Sequence, residues 1–320
     1  MTSVNWHMRS SGIRLQISDS DMSDYHIPVL LDESIEALLI QPDGVYVDAT
    51  FGAGGHSKSI LKRLDAKGHL YGFDQDEDAR KNEVASENFT FIPSNFRYMQ
   101  RWLKVYGVEQ VDGILMDLGV SSHQLDDDER GFSYRFEADL DMRMNKQSPL
   151  DAKKVVATYS QQELQDVFSK YGEVRNAKTL AQKIVQARKL KPLVSAQQLN
   201  DVLDSTIVGP KLKYYSQVYQ AIRMEVNDEL GVLTDALHQA VDLLRPGGRL
   251  VVISYHSLED RLVKKLIKTG NVHGDQLKDD YGRIHRPLKV VNKQIILPSE
   301  EEMKRNSRAR SAKLRIASKV

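Results

Sequence analysis

The sequence predicts an α/β protein with a doubly wound, mostly parallel sheet and an inserted all-helical segment. Short apolar, β-branched stretches alternate with stretches of helical spacing between about residues 45 and 120, and another strand-like stretch follows near residue 249. These strand-like stretches are continuously apolar, which is typical of strands that helices cover on both faces. Residues 136 to 215 carry helical patterns throughout. Together these features favour a sheet domain interrupted by a helical one.

Five strand-like stretches define the predicted parallel sheet. In chain order they are VYVDAT (45–50), HLYGFDQD (69–76), FTFIPSNF (89–96), VDGILMDLG (111–119) and RLVVISYHS (249–257). The first is followed by SKSILKRL (57–64), which has helical spacing, and the fifth is preceded by the turn signal RPGG. Two more, VNKQIILPS (291–299) and SAKLRIAS (311–318), have no helix between them. We therefore expect an antiparallel, hairpin-like finish at one edge of the sheet.

Helix signals mark out the insertion. Ser160 with Glu163, and Ser195 with Gln198, have capping-box spacing, and Pro192 and Gly209-Pro210 interrupt the helical pattern. We predict a core formed by residues 22–135 and 216–320, with residues 136–215 inserted as a helical, substrate-recognising domain. Residues 1–21 precede Met22 and lack the apolar core of a signal peptide. They are predicted to be a disordered leader or a remnant of an upstream start.

Composition excludes several classes of protein. The chain has no cysteine, which excludes disulfides and thiolate zinc sites, and its nine histidines show no ligand-like spacing. We therefore predict no bound metal. No apolar run reaches the roughly 18 residues of a membrane span, so the predicted location is the cytoplasm.

The net charge of +1 hides two basic stretches. Between Glu173 and Asp201 there are six basic residues and no acid: Arg175, Lys178, Lys183, Arg188, Lys189 and Lys191. After Glu302 there is again no acid, while seven basic residues follow: Lys304, Arg305, Arg308, Arg310, Lys313, Arg315 and Lys319. Such runs form either solvated faces or anion-binding faces.

A glycine-rich turn, DATFGAGGH (48–56), follows the first predicted strand. Glycines between a strand and a helix let main-chain N–H groups approach a ligand closely. Asp74 ends the second strand 20 residues after Gly54, where a carboxylate can bind the ribose of an adenosine. The spacing does not fit G-x-G-x-x-G, and Asp48 would repel a pyrophosphate but attract an ammonium group. The turn therefore favours S-adenosylmethionine over NAD, although Asp48 could instead be a structural acid.

Several longer motifs resemble one family. HIPVLLDESI, DATFGAGGHS, DLGVSSHQLDDDERGFSY, LDMRMN, AIRMEVNDEL, SYHSLEDR and NSRARSAKLR together are similar to the RsmH family, also called MraW, from about Tyr25 to Ser318. The resemblance implies a class I S-adenosylmethionine-dependent methyltransferase with an inserted helical domain. It also implies methylation of the exocyclic N4 of a cytidine at the decoding centre of 16S ribosomal RNA.

The resemblance assigns cofactor contacts by position. These are Gly54, Gly55 and His56 around the methionine part, Asp74 on the ribose, Phe96 beside the adenine, and Asp117 and Gln124 around the fourth strand. Asp48 is added to these contacts because its charge would attract the ammonium group of the cofactor. The Asp-Pro-Pro-Tyr motif of many amino-methyltransferases is absent, since Asp117 is followed by Leu-Gly-Val-Ser-Ser. The residue that holds the target base therefore stays open.

Asp117 is the predicted catalytic residue. It ends the fourth strand, at the sheet edge where ligands bind, and could accept hydrogen bonds from the amino group as positive charge develops on nitrogen. Contact with the cofactor alone is the alternative. Tyr255 and His256 end the fifth strand at the same edge, where Tyr255 either stacks on the flipped base or is an ordinary rim residue. Ser257 and Asp260 have the spacing of a helix cap.

The implied partner is 16S ribosomal RNA within the small ribosomal subunit. Given the resemblance, Arg188, Lys189, Arg308 and Arg310 are candidate phosphate contacts, with Tyr255 and His256 nearer the base. A homodimer is also predicted as a possible state. Two other functions stay open from the residues: methylation of another nucleic acid, and a non-catalytic cofactor-binding module in ribosome assembly.

Overall fold

The structure is a computed structural model in which residues 28–276, 281–282, 286–292 and 294–320 are described. The predicted leader, residues 1–21, lies outside the described residues. Within the described part, no helix is both long enough and apolar enough to cross a lipid bilayer.

A seven-stranded sheet is the centre of the fold. Its strands are β1 Val45–Asp48, β2 His69–Phe73, β3 Phe89–Ile92, β4 Val111–Asp117, β5 Leu244–Ser254, β6 Leu288–Val290 and β7 Lys313–Lys319. They lie in the order β3-β2-β1-β4-β5-β7-β6. Strands β1 to β5 are parallel, and β7 is antiparallel to both of its neighbours. The predicted α/β class and mostly parallel sheet are confirmed.

Helices cover both faces of this sheet. The elements are α1 Leu31–Ala37, α2 Gly55–Leu61, α3 Met99–Val105, α4 Ser122–Asp126, α5 Ala152–Thr158, α6 Gln161–Gly172, α7 Ala177–Leu190, α8 Ala196–Asp204, α9 Lys211–Val226, α10 Glu229–Leu243, α11 Ser257–Thr269 and α12 Glu300–Arg305. One face packs against α3, α10 and α11, and the other against α1, α2 and a 3₁₀ turn at Ser307–Ser311. This double cover explains why Ile114, Leu115 and Met116 of β4 are all fully buried.

Helices α5 to α9 have an apolar core of their own. Phe168, Leu180, Leu199 and Val218 belong to this cluster and are fully buried. Helix α9 crosses residue 215, so the boundary that the sequence predicts there falls within a single helix, which continues to Val226. The division into core and insertion stays a prediction.

The end of the sheet differs from the sequence expectation. We expected residues 291–299 to form a strand, but β6 lies earlier, at Leu288–Val290, and only Ile296 makes an isolated bridge, to Leu314. The side chain of Asn292 interrupts the ladder, because its Oδ1 accepts the hydrogen bond that Ile316 N donates, at 3.0 Å. The expected antiparallel finish at one edge is confirmed, because β7 pairs antiparallel with β6, the edge strand.

Two of the three predicted helix caps are confirmed. Ser160 and Ser195 each form a capping box, with Glu163 and Gln198 respectively. The predicted cap at Ser257 is wrong, since His256 is the N-cap residue of α11 and forms a capping box with Glu259. The imidazole takes this position because its Nδ1 accepts from Glu259 N.

Candidate active site

A pocket opens at the carboxyl ends of β1 to β4, where parallel sheets bind ligands. Thr50, Gln75, Phe96 and Gly119 line it from the loops that follow these four strands, and Asn227, ahead of α10, closes one side. Met144 lines it from the segment between α4 and α5, and the amide of Gln75 contacts its sulfur at 3.4 Å. Phe96 therefore lines this pocket, and its predicted contact with the adenine stays a prediction.

The glycine turn enters this edge in a conformation that its residues require. Gly54 has a φ of 76°, and a Cβ there would lie 2.9 Å from the ring of Phe51. A Cβ on Gly55 would lie 2.2 Å from Pro28, so neither glycine can be replaced without displacing a neighbour. Helix α2 begins at Gly55, which directs its first N–H groups toward the same edge of the sheet.

Asp48 supports this turn from beneath. Its side chain is 1% exposed, and it accepts hydrogen bonds from Ser57 Oγ at 2.7 Å and Thr50 N at 3.1 Å. Burial raises its pKa, while these two partners lower it. Both oxygens are therefore engaged within the protein, as expected of a structural acid.

Asp74 joins the turn to the loop after β2. One carboxylate oxygen accepts from Gly52 N and the other from Asp76 N, each at 2.8 Å. Burial raises the pKa of Asp74 to about 6, against these two hydrogen bonds. Each oxygen keeps a second lone pair, which leaves acceptor capacity for a hydroxyl ligand.

His56 is buried and uncharged. Burial lowers its pKa to about 4, so at neutral pH the imidazole carries no charge. Its Nδ1 lies 3.9 Å from Asp117 Oδ2, which is therefore a contact with a neutral ring rather than an ion pair. Its Nε2 has no hydrogen-bond partner among the described residues. A buried ring nitrogen of this kind is expected to be satisfied by a ligand or water.

Asp117 ends β4 beside Thr50, whose hydroxyl accepts from Asp117 N at 2.7 Å. Burial, with the nearby charges of Asp48 and Glu259, raises the pKa of Asp117 to about 7, although a hydrogen bond from Tyr255 acts against this shift. The side chain keeps 23% of its surface exposed. A carboxylate that titrates near neutral pH, and that solvent can reach, can accept a proton or hydrogen bond from a substrate.

Gln124 is placed by a buried network that the sequence did not reveal. Its Oε1 accepts from Ser121 N at 3.1 Å, completing a capping box on α4, and its Nε2 donates to Asp76 at 2.7 Å. Arg130 forms an ion pair with the same Asp76 oxygen and donates to the carbonyl of Met144. The network joins the loops after β2 and β4 to the segment that carries Met144.

The SYHSLED segment begins α11 at the same edge. Glu259 is 3% exposed and accepts from Tyr255 N at 2.9 Å and His256 N at 3.3 Å. Burial alone would raise its pKa, but His256, the main chain of Tyr255 and the charge of Arg223 hold it below its usual value. Tyr255 Oη donates to Asp117 Oδ1 at 2.8 Å.

One cluster in the described ranges has the composition of a metal site. Ligand atoms of Glu229, His256 and Glu259 lie within 4.8 Å of one another. Arg223, however, donates to both oxygens of Glu229, at 2.7 and 2.9 Å, and His256 Nε2 lies 3.2 Å from Glu259. These carboxylates already have cationic or hydrogen-bonding partners, and we assign no metal to them.

The predicted RNA contacts lie in different parts of the molecule. Lys189 and Arg310 are exposed, on α7 and on the 3₁₀ turn before β7. Arg188 instead donates to the carbonyl of Val156, and Arg308 forms an ion pair with Asp126 of α4. His256 is partly buried within its cap, so of these residues Lys189 and Arg310 have the most accessible cationic side chains.

Asn227 is a site residue whose role the sequence did not reveal. Its Oδ1 accepts from Met144 N, and its Nδ2 donates to the carbonyl of Met142, each at 2.7 Å. Met142 has a φ of 57°, so this amide fixes an unusual main-chain turn above the pocket. Asn227 lies in the AIRMEVNDEL motif, and its partners Met142 and Met144 lie in LDMRMN, but neither motif indicates that the two segments are in contact.

Comparison with known proteins identifies this arrangement. The family model described as "MraW methylase family" matches residues 23–320. The chain belongs to the MraW methylase family. It is 54% identical over 296 residues to the ribosomal RNA small subunit methyltransferase H of Phocaeicola vulgatus, covering 92% of this chain and 97% of the relative. The protein of the same name from Christiangramia forsetii is 52% identical over 300 residues, covering 93% and 99%.

The pocket of this MraW family member fits S-adenosylmethionine, the cofactor of the family. Glu259 lines the pocket, and Asp74 and Asp117 lie at the same edge of the sheet, so that these carboxylates favour a ligand bearing sulfonium and ammonium charges over a pyrophosphate. The unpartnered Nε2 of His56 and the remaining lone pairs of Asp74 offer contacts to its polar groups. Phe96 and Met144 provide an apolar wall to the pocket. The sequence-based preference for this cofactor over NAD is confirmed.

Proposed function

We propose that this chain methylates the exocyclic N4 of a cytidine in 16S ribosomal RNA, with S-adenosylmethionine as donor. The observation that carries the proposal is the family match over residues 23–320, together with an accessible acid at the end of β4. The relatives at 52–54% identity are named as methyltransferases of small-subunit ribosomal RNA. The nucleotide and the atom come from the family resemblance.

Asp117 is the proposed catalytic residue. When bound, S-adenosylmethionine supplies a methyl group on a positively charged sulfur. Cytosine N4 is a weak nucleophile because its lone pair is conjugated into the ring. An ionised Asp117 accepts a hydrogen bond from that amino group and stabilises the positive charge that develops on nitrogen. The pKa of about 7 makes the ionised form available at the upper end of the physiological range.

The cofactor contacts are proposed at the predicted positions. Gly54, Gly55 and His56 hold the methionine part, Asp74 the ribose and Phe96 the adenine. Gln124 contacts the cofactor from its position in the buried network. Asp48, beneath the turn, attracts the ammonium group of the cofactor by its charge. Helices α5 to α9 form the proposed recognition domain for RNA.

A product assay tests the reaction. Purified protein is incubated with the cofactor and unmodified small ribosomal subunits, and digested RNA is compared with nucleoside standards by mass spectrometry. We expect N4-methylcytidine with the wild type and at least a hundredfold less with Asp117→Asn, the order of magnitude for loss of a catalytic acid–base group. Glu109→Gln is the matched control, because this exposed acid precedes the amino end of the same strand.

The outcomes separate the roles of Asp117. Unchanged cofactor affinity in Asp117→Asn, by calorimetry, supports catalysis, whereas a parallel loss of affinity supports cofactor contact alone. Cofactor binding without methylated cytidine in the wild type would overturn the proposal in favour of another nucleic acid or a non-catalytic module.

Parallel reactions with naked 16S RNA decide between RNA and assembled subunit as substrate. Sedimentation at assay concentration tests the predicted dimer, and cell fractionation the predicted cytoplasmic location.

A further inference from the structure

The hydroxyl of Tyr255 is the polar contact that reaches Asp117 from the neighbouring strand. Tyr255 follows β5, and its Oη donates to Asp117 Oδ1 at 2.8 Å. Burial, and then the charge of Asp117, raises the pKa of this phenol well above 10, so it remains a donor throughout the neutral range. The other oxygen, Oδ2, faces His56 at 3.9 Å.

The main chain of Tyr255 is held from the opposite side. Glu259 accepts from its N–H, and the same carboxylate closes the capping box with His256. On the ring side, a Cβ built on Gly119 would lie 3.6 Å from the Tyr255 ring, which places the ring against the loop after β4. The hydroxyl is therefore directed at Asp117 by contacts on both sides of the residue.

We propose that Tyr255 is a positioning residue that fixes Asp117 through Oδ1 and keeps Oδ2 available for the reacting amino group. This inference rests on the proposed function of Asp117 and departs from a stacking role for Tyr255. A hydroxyl committed to Asp117 and a ring packed against the loop after β4 suit orientation of a carboxylate better than a platform for a base.

Four other groups face or border Asp117 and bear on its titration. Asp48 on β1 and Glu259 on α11 oppose its ionisation by their charge, and Tyr255 favours it. His56 on α2 is neutral in the working range, since burial lowers its pKa to about 4. Removing the Tyr255 hydroxyl takes away a donor to the ionised form and leaves both repulsive charges. The pKa of Asp117 must then rise.

Tyr255→Phe isolates this hydroxyl while retaining the ring. At saturating cofactor we expect kcat to fall roughly tenfold at pH 6.5 and to remain within about threefold of the wild type at pH 9, because a higher pH restores ionised Asp117. The acid limb of the pH–rate profile moves to higher pH. Tyr46→Phe is the control, since Tyr46 is a buried tyrosine of β1 whose hydroxyl accepts from Gln41 N, away from the pocket.

A second readout does not depend on turnover. In protein labelled with ¹³C at aspartate carboxyls, the resonance missing from Asp117→Asn identifies Asp117. We expect it to titrate at higher pH in Tyr255→Phe than in the wild type, and at the wild-type pH in Tyr46→Phe. An unshifted resonance, or equal losses of kcat at pH 6.5 and 9, would overturn the role of Tyr255. Failure of the wild type to methylate RNA would instead overturn the proposed function. The titration of Asp117 would then be the remaining test of the effect of the Tyr255 hydroxyl.

Discussion

Asp117 occupies an environment that opposes its charge. It lies among buried carboxylates, and its pKa is raised to about 7. A carboxyl whose pKa is higher in the folded than in the unfolded state binds its proton more tightly when folded. The free energy of unfolding therefore falls as pH rises from about 4 through about 7. The property proposed for catalysis thus reduces stability at neutral and alkaline pH.

Asp117→Asn is consequently expected to stabilise the protein while it removes activity. At pH 8 we predict an increase in the free energy of unfolding on the order of 2–4 kcal/mol, because a buried charge is replaced by a neutral amide. At pH 4.5 the carboxyl is protonated in the folded protein, and the gain should nearly vanish. Denaturant titrations at both pH values measure this. An equal change at both would show that packing, rather than charge, dominates.

Single site residues could be predicted from the sequence where a motif fixes their place. Gly54, Asp74 and Asp117 lie at or after the ends of strands that were recognisable from their apolar runs. The carboxyl ends of parallel strands meet at one edge of the sheet. Their environment could not be predicted. That Asp48 is engaged by Ser57 and Thr50, and that Tyr255 reaches Asp117, depends on distances across neighbouring elements that no local pattern records.

At the scale of elements, one buried ion pair joins three loops. Arg130 and Asp76 are each 5% exposed, and through Gln124 and Met144 they connect the loops after β2 and β4 to the segment above the pocket. Charges buried this deeply are stable only together, because either one alone lacks both water and a partner.

Arg130→Met should therefore destabilise the protein by about 3–5 kcal/mol and weaken cofactor binding. The double variant Arg130→Met/Asp76→Asn should recover part of the lost stability, since no unpaired charge remains. Arg80→Met serves as the control, because the Arg80–Glu83 pair is exposed and is expected to contribute less than about 1 kcal/mol. A double variant that is no more stable than Arg130→Met would contradict this account.

Elements with local signals were predictable, and those that depend on distant partners were not. Ser160 and Ser195 cap helices with residues three positions away, so their spacing sufficed. His256 displaced the expected cap at Ser257 because its ring is held by the buried Glu259. The extent of the strand near residues 291–299 was misjudged because, at Asn292, the side chain rather than the main chain accepts the hydrogen bond from Ile316 of β7.

At the scale of the whole molecule, the two basic stretches contribute unequally to the accessible surface. Arg188 and Arg308 have partners within the protein, whereas Lys189 and Arg310 are exposed. Lys189 and Arg310 are therefore the better test of RNA contact, because replacing them leaves the internal contacts of Arg188 and Arg308 intact.

We expect Lys189→Ala and Arg310→Ala each to weaken RNA binding several-fold at low salt. If each contacts one phosphate, the slope of log affinity against log salt should decrease by about 0.7–0.9 per variant. Cofactor affinity should not change. Lys67→Ala provides the control, as this exposed lysine precedes β2 at the opposite edge of the sheet. Equal affinities and slopes for all three variants would mean that these stretches are solvated faces.

Strand β7 follows β6 in the sequence but lies between β5 and β6. During synthesis, β5 leaves the ribosome well before β7, so one edge of β5 remains without its neighbour while translation continues. Unpaired strand edges of this kind invite pairing with other chains until they are covered. The interior of the sheet can close only when residues 313–319 have emerged.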